Sequence, residues 1–210
     1  AKNATSSSSV VTTVNNKDHW ETVKSAFGAD SGDTNVGAWI AKWAGALGNS
    51  LKVDICTAAG FAAWAYKGEF DAAPGTSAYA SARTASGDEC HVVVVDEDGE
   101  FSGTVGTVLE RFAFVSMASD AKAADGTSNY ALDVINSGSN YVWLAHWDDD
   151  LSTMTNAGSA ASGLTFGNPS AAISKSLTGG VDSGSLTTTE VATGFDLFED
   201  TDTITVDFLI

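Results

Sequence analysis

Two cysteines and two prolines in 210 residues are the first scarcities of this chain. Two thiols cannot staple a small secreted scaffold. Cys56 and Cys90 each sit in an apolar, strand-like run that favours a packed, reduced side chain and an intracellular setting. Basic residues are scarce as well: ten Lys plus Arg stand against 27 Asp plus Glu, a net charge of −17. That surplus repels phosphate backbones and anionic headgroups, which argues against nucleic acid and membrane surfaces as partners. It also suits high-salt water, where screening relieves self-repulsion. No apolar run approaches the roughly 20 residues that cross a bilayer, and no signal peptide opens the chain. The G-x-S-x-G elbow, the Gly-Lys-Ser/Thr phosphate loop, His-Glu-x-x-His and the dinucleotide fingerprint are all missing. The sequence therefore assigns no catalytic, cofactor-binding or metal-binding residue.

What is present suffices for a folded core. Hydrophobic residues make up 43% of the chain, and a chain of this size buries about 70% of the surface it exposes when unfolded. Residues 1–16, with Ser6-Ser7-Ser8-Ser9 among them, are polar and β-branched without helical period and read as an arm or linker ending in a short strand. Asn16 is a candidate N-cap for a helix over 17–27, with Trp20, Val23 and Phe27 on one face and Gly28 as its stop. The same spacing in Val36, Trp39, Ile40 and Trp43 predicts a second short helix over 35–43. Gly45-Ala46-Leu47-Gly48-Asn49-Ser50 supplies a turn, and Leu51-Lys52-Val53-Asp54-Ile55-Cys56 alternates strictly, as a strand does.

Residues 58–66 hold a helical turn or two, and 71–88 form a loop of small residues. A hairpin is expected next, 90–95 against 101–108 across Asp96-Glu97-Asp98-Gly99-Glu100, because Asp-Gly favours a tight turn. Alternation continues through Glu110, Phe112 and Phe114. Then come a short helix over 129–137 stopped by Gly138, a strand over 141–147, and a loop over 148–172 containing Pro169. Thr187-Thr188-Thr189-Glu190 matches a capping box for a helix expected to bury Val191, Phe195 and Phe198, and a last strand starts near Thr203. Without regular βα alternation the expected class is α+β, a mostly antiparallel sheet or sandwich flanked by short helices.

Three groups invite a chemical reading. Cys56 with His91 or His146 would make a thiolate–imidazole dyad if the rings came within hydrogen-bonding reach. Packed thiols are the simpler expectation, with His91 pointing to the face opposite Cys90. Asp96, Asp98 and Glu100 resemble part of a calcium loop but lack its glycine at the sixth position and glutamate at the twelfth, so they read as a solvated hairpin tip. Asp148-Asp149-Asp150 places three carboxylates in a row, an arrangement that rarely converges on one cation. Six Trp, ten Phe and four Tyr could line a carbohydrate groove, but the spacing of Trp20, Trp39 and Trp43 assigns them to the core.

Three segments, in order, resemble the contractile tail sheath proteins of T-even-like bacteriophages. Residues 43–53, Trp43-Ala44-Gly45-Ala46-Leu47-Gly48-Asn49-Ser50-Leu51-Lys52-Val53, are similar to the family's aromatic, x, Gly, x, Leu-Gly-Asn/Asp stretch that leads into a strand. Residues 105–116, with Gly106, Val108, Glu110 and Phe112, followed by 129–136 and Ser139-Asn140-Tyr141-Val142-Trp143, resemble its strand, tyrosine-led helix and Ser-x-Tyr-Val block. Leu177-Thr178-Gly179-Gly180-Val181-Asp182 with Gly194-Phe195-Asp196-Leu197-Phe198 resembles its Leu-x-Gly-Gly loop and the helix after it. The set covers residues from about 16 to 210, and departs from the family over 58–88, a stretch that varies among sheath proteins.

The resemblance implies a structural virion protein and no enzyme: the middle region of a sheath subunit that stacks as hexameric rings around the tail tube and contracts to drive genome delivery. It implies other sheath subunits, the tube protein, the baseplate and the tail terminator as partners, and no cofactor. The implied location is the phage tail, with the host cytoplasm during assembly. In its terms residues 1–16 are an arm or linker, 17–202 the middle α+β domain and 203–210 the first strand of the next portion. The chain reads as part of something longer, with the linking arms outside it. Two other readings compete: an acidic extracellular adhesin or carbohydrate-binding module, which needs exposed aromatics, and a thiol hydrolase built on Cys56 and His91.

Overall fold

A computed structural model of the chain describes residues 1–6, 13–27, 36–147 and 153–196. It is an α+β structure with two antiparallel sheets. The first has three strands in the order β1-β2-β6: β1 Asn3–Thr5, β2 Ala38–Ala44 and β6 Val142–His146. The second has four in the order β5-β4-β3-β7: β3 Leu51–Cys56, β4 Glu89–Asp96, β5 Thr107–Ser116 and β7 Ile173–Ser176. Helices α1 Lys17–Val23, α2 Ala78–Ser81, α3 Ala131–Gly138 and α4 Thr188–Asp196 are short. Among the described residues no helix is long and apolar enough to cross a membrane.

Both sheets are covered on both faces at their central strands. Trp39 and Ala41 of β2, Val142 and Leu144 of β6, Leu51, Val53 and Ile55 of β3, and Val92 and Val94 of β4 meet in one shared core. The alternate residues point the other way, because successive strand side chains leave opposite faces. Ala38, Ile40 and Trp143 meet Trp20 and Phe27 of the α1 segment, with Trp20 stacked on Trp143 at 5.1 Å. Cys56, Val93 and Val95 meet Trp64, under a cap formed by two 3-10 turns, Phe61–Ala63 and Lys67–Glu69. This double cover explains the unbroken run Val92-Val93-Val94-Val95, all fully buried, each worth roughly 1.5–3 kcal/mol over exposure.

It also overturns the helix expected over 35–43, where the chain forms β2 instead. Spacing of i, i+3, i+4 and i+7 satisfies one helix face, but it equally satisfies a strand that is wet on neither side. Trp39 goes to the inner core and Ile40 to the outer cluster. Trp43, expected in the core, is 48% exposed, since the pairing of β2 with β6 ends at Ala41↔Val142. Its ring meets Phe101 edge-on, and Phe101 meets Tyr141.

Other expectations hold closely. Asn16 caps α1 by accepting from the His19 amide at 2.8 Å, and the helix runs on into a 3-10 turn, Lys24–Ala26. Gly28, its expected stop, lies outside the described residues. The short strand of the N-terminal segment is β1, closer to the start than expected and fully buried beside β2. The turn before β3 is a 3-10 helix, Ala46–Ser50, and α2 interrupts the loop expected over 71–88. Helix α3 and strand β6 fall where expected.

The hairpin of β4 and β5 is longer in its loop than expected, for Phe101 lies in the connection and the second arm starts at Thr107. The capping box of α4 closes reciprocally, the Thr187 amide donating to Glu190 at 2.7 Å and the Glu190 amide to Thr187 Oγ1 at 3.2 Å. The burial expected of its apolar face is corrected: Val191 is 41% and Phe195 55% exposed. Helical period marks an apolar face without supplying its cover. Phe198, Asp148-Asp149-Asp150 and the strand expected from Thr203 lie outside the described residues.

Candidate functional site

Cys56 and His91 are register partners on β3 and β4, so they share the capped face, while Cys90 enters the shared core on the other. Neither ring nitrogen of His91 is left for a thiol. Nε2 donates to the Ala72 carbonyl at 2.8 Å, which leaves Nδ1 as the acceptor from the Phe114 amide at 3.0 Å. The ring lies parallel to Phe70 at 4.1 Å and edge-on to Phe114 at 4.6 Å. Burial holds its pKa below the ordinary histidine value, although the Ala72 carbonyl opposes the shift.

Burial, with the Asp54 carboxylate nearby, pushes the Cys56 thiol up to about 12, and burial raises Cys90 as well. Asp54 is itself raised by burial, a shift tempered by Trp64, whose indole donates to it at 2.5 Å. His146 stands on β6 of the other sheet. The dyad is thus a packed aromatic core with a histidine in one fixed tautomer. Neither thiol should react with an aromatic disulfide reagent at pH 8 in the native protein, and both should react once urea unfolds it; a titration at 412 nm checks this.

At the hairpin tip the three carboxylates diverge. Asp98 and Glu100 are exposed, but Asp96 is buried and is no part of a solvated tip. Its Oδ1 accepts from Ser50 Oγ at 2.6 Å and the Gly99 amide at 3.1 Å. Its Oδ2 accepts from the amides of Phe101 and Ser102 and from Ser102 Oγ at 2.7–3.0 Å. Burial alone would raise this carboxyl, yet the bonds from Ser50, Ser102 and the loop amides together hold it below the usual range. Asp96 therefore folds the loop, and Gly99 turns there with φ +84°. Asp96→Ala should cost about 2–4 kcal/mol, because several buried donors lose their acceptor; urea unfolding measures it, with exposed Asp98→Ala near neutral as the control.

A further buried carboxylate, Asp88, had no sequence signal. Asp88 accepts from the Ser77 amide and hydroxyl at 2.8 Å and from Ser116 Oγ at 2.5 Å, which ties the N-cap of α2 to the end of β5. Its partners are 11 and 28 residues away, beyond any local pattern.

The segments 43–53 and 177–182 meet in space and form a joint around β1. The Asn49 side chain pairs with Gly180 like one residue of a strand, accepting from its amide at 2.8 Å and donating to its carbonyl at 3.1 Å. Asp182 accepts from the Ala46 amide at 2.8 Å. Lys2 and Val181 exchange two backbone bonds, as do Thr5 and Thr178, and the Leu177 amide donates to Leu51. The spacing is tight enough to demand glycine: a Cβ on Gly48 would lie 2.7 Å from Ala41 Cβ, and one on Gly180 would lie 2.3 Å from the Gly45 carbonyl oxygen.

Residues 105–143 form a second joint. Glu110 on β5 accepts from Ser139 Oγ at 2.6 Å and the Asn140 amide at 2.7 Å. The Asn136 amide group pairs with both backbone groups of Leu144, and Asn129 donates to the Phe114 carbonyl. Lys42 donates to the Ser139 carbonyl at 2.5 Å. These polar side chains do strand-pairing work across elements. Among the described residues no group of three or more His, Cys, Asp or Glu is gathered that could hold a metal ion.

No family model matches the chain. Among curated proteins it is similar to the tail sheath protein of Salmonella phage ViI, with 29% identity over 133 residues, or 62% of this chain. The match covers 17% of that protein's length.

Proposed function

We propose that this chain is part of a subunit of a contractile bacteriophage tail sheath, with a structural and not a catalytic role. The similarity to the sheath protein of Salmonella phage ViI carries the reading. It is supported by the ordered motifs, whose residues Asn49, Gly180, Glu110, Ser139 and Asn140 are spent on joining strands. In this reading the chain belongs to the T-even-like family and residues 17–202 form the middle domain of the subunit. Residues 1–16 lead into it, and 203–210 begin the next portion. The subunits stack as hexameric rings around the tail tube, between baseplate and terminator, in the virion tail.

The mechanism follows from the joints. A contracting lattice needs subunits that slide and rotate as bodies between two packings, so that free energy resides in the interfaces. Side-chain amides and carboxylates that bridge the sheets oppose internal shear and make such a body.

The test is electron microscopy with antibodies raised against residues 1–210. Expected are labelled helical tubes when the full-length gene product is expressed, and label along the tails of the phage that encodes it. Label confined to heads, fibres or the host surface would overturn the sheath reading.

A further inference from the structure

Helix α4 and the groove between α1 and α3 each lack a partner among the described residues. We infer that α4 of one copy of this chain docks in the α1–α3 groove of a second copy. The inference deepens the sheath reading, on which the choice of a second copy rests.

The groove has a volume of about 680 Å3. Its floor is the outer face of the three-stranded sheet at Lys42 and Trp143; α1 and the 3-10 turn after it supply Lys17 and Lys24 along one wall, and α3 supplies Leu132 and Asn136 along the other. Three of the chain's ten basic residues thus line one depression, against two acids, Glu21 and Asp133. Lys24 is paired with Glu21 at 2.5 Å. Lys42 is half-buried; burial lowers its pKa, and the positive charge of Lys17 adds to the effect while Glu110 opposes it. Negative charge entering the groove would relieve the crowding of Lys17 and Lys42.

The helix has the complementary character. Residues 176–210 contain seven acids and no base, and within this stretch Thr188–Asp196 forms α4. Its described side chains are all exposed. Val191 and Phe195, four residues apart, share one face. A helix with an unburied valine and phenylalanine, set in an acidic stretch of chain, suits a groove of lysines over a tryptophan floor, in both charge and apolar content. A nine-residue helix buries less than the roughly 1,000 Å2 of a stable interface, so each contact is weak. Helix and groove are different patches, so the contact either closes as a reciprocal two-fold pair or propagates head to tail.

Sedimentation velocity of the 210-residue chain tests this at about 0.15 M salt, where a Debye length of about 8 Å screens overall repulsion but spares contacting charges. The wild type should associate with rising concentration. Lys17→Glu/Lys24→Glu and, separately, Val191→Ser/Phe195→Ser should each weaken association at least about tenfold. All four positions are exposed, so the melting curves should stay unchanged. Mixing the two variants should restore a two-chain species and nothing larger, since one retains only the helix and the other only the groove. A wild type that stays monomeric, a groove variant that associates normally, or a mixture that forms no heterodimer would each overturn the docking. None of these outcomes would alter the antibody labelling that tests the sheath reading.

Discussion

Gly180→Ala should destabilise the chain by about 3 kcal/mol and lower its melting temperature by roughly 6–12 °C. The new Cβ would stand 2.3 Å from the Gly45 carbonyl oxygen, 3.0 Å from Asn49 Oδ1 and 3.2 Å from Ala4 Cβ. The first of these atoms is backbone and cannot rotate away. Relief requires the 177–182 segment to lift from β1 and from the turn before β3, which breaks the paired bonds between Asn49 and Gly180. Overpacking costs about 1–3 kcal/mol, and each lost hydrogen bond about 1 kcal/mol more. Gly179→Ala separates crowding from backbone strain. Gly179 has φ +76° and nothing within 4 Å of its Cβ position, so alanine there should cost about 1–2 kcal/mol through conformation alone. Thermal melts of the two variants side by side measure the difference. A Gly180→Ala protein that melts with the wild type would mean that the joint is open in solution.

The other large effect is expected at His91. His91→Ala should cost about 3–5 kcal/mol, the range for deleting a buried ring, because it empties the stack on Phe70 and strands the Phe114 amide. Phe114 holds φ +53°, a left-handed backbone that an aromatic residue rarely adopts. Its amide bond to Nδ1 supports that conformation, and Asn129 takes its carbonyl.

A pH dependence follows from the same contact. Burial lowers the pKa of His91 in the folded protein, whereas the unfolded chain takes up the proton near pH 6.5. Its contribution to stability is therefore complete above about pH 6.5 and is lost as the pH falls toward the folded value, because the unfolded state binds the proton first. His91→Phe keeps the ring but has no acceptor and no proton to bind. It should be less stable than the wild type at pH 8, with the gap narrowing by pH 5. Urea titrations of both proteins at the two pH values measure that gap, and an unchanged gap would contradict a ring held neutral by burial.

Local chemistry makes several elements legible in the sequence alone. Asn16 three residues before an amide it can cap, Thr187 with Glu190, Asp98-Gly99 at a turn and the strict alternation of Leu51-Lys52-Val53-Asp54-Ile55-Cys56 each act over a few residues, and such signals survive in one dimension. The burial of Cys56 and Cys90 is legible for the same reason, since each lies in an apolar strand-like run. The segment 35–43 is a strand and not the helix its spacing predicts, because its apolar pattern depends on what lies on both sides of it. Trp39 and Ile40 point into different cores, and no local rule states that α1 will cover the second. Val191 and Phe195 are exposed for the converse reason, since a helical apolar face does not itself bring a cover.

By itself, the sequence determined the class of fold, the caps and turns, the acidic imbalance and the order of motifs that resembles sheath proteins, all properties of neighbours in the chain or of composition. Only the tertiary structure decided that Asn49 pairs with Gly180 across 131 positions, that Asp96 and Asp88 are buried hubs, and that His91 is locked instead of paired with a thiol. The physical reason is that a buried polar group is satisfied by whatever donor or acceptor the fold brings within about 3 Å, and that proximity between distant segments is written in no local pattern.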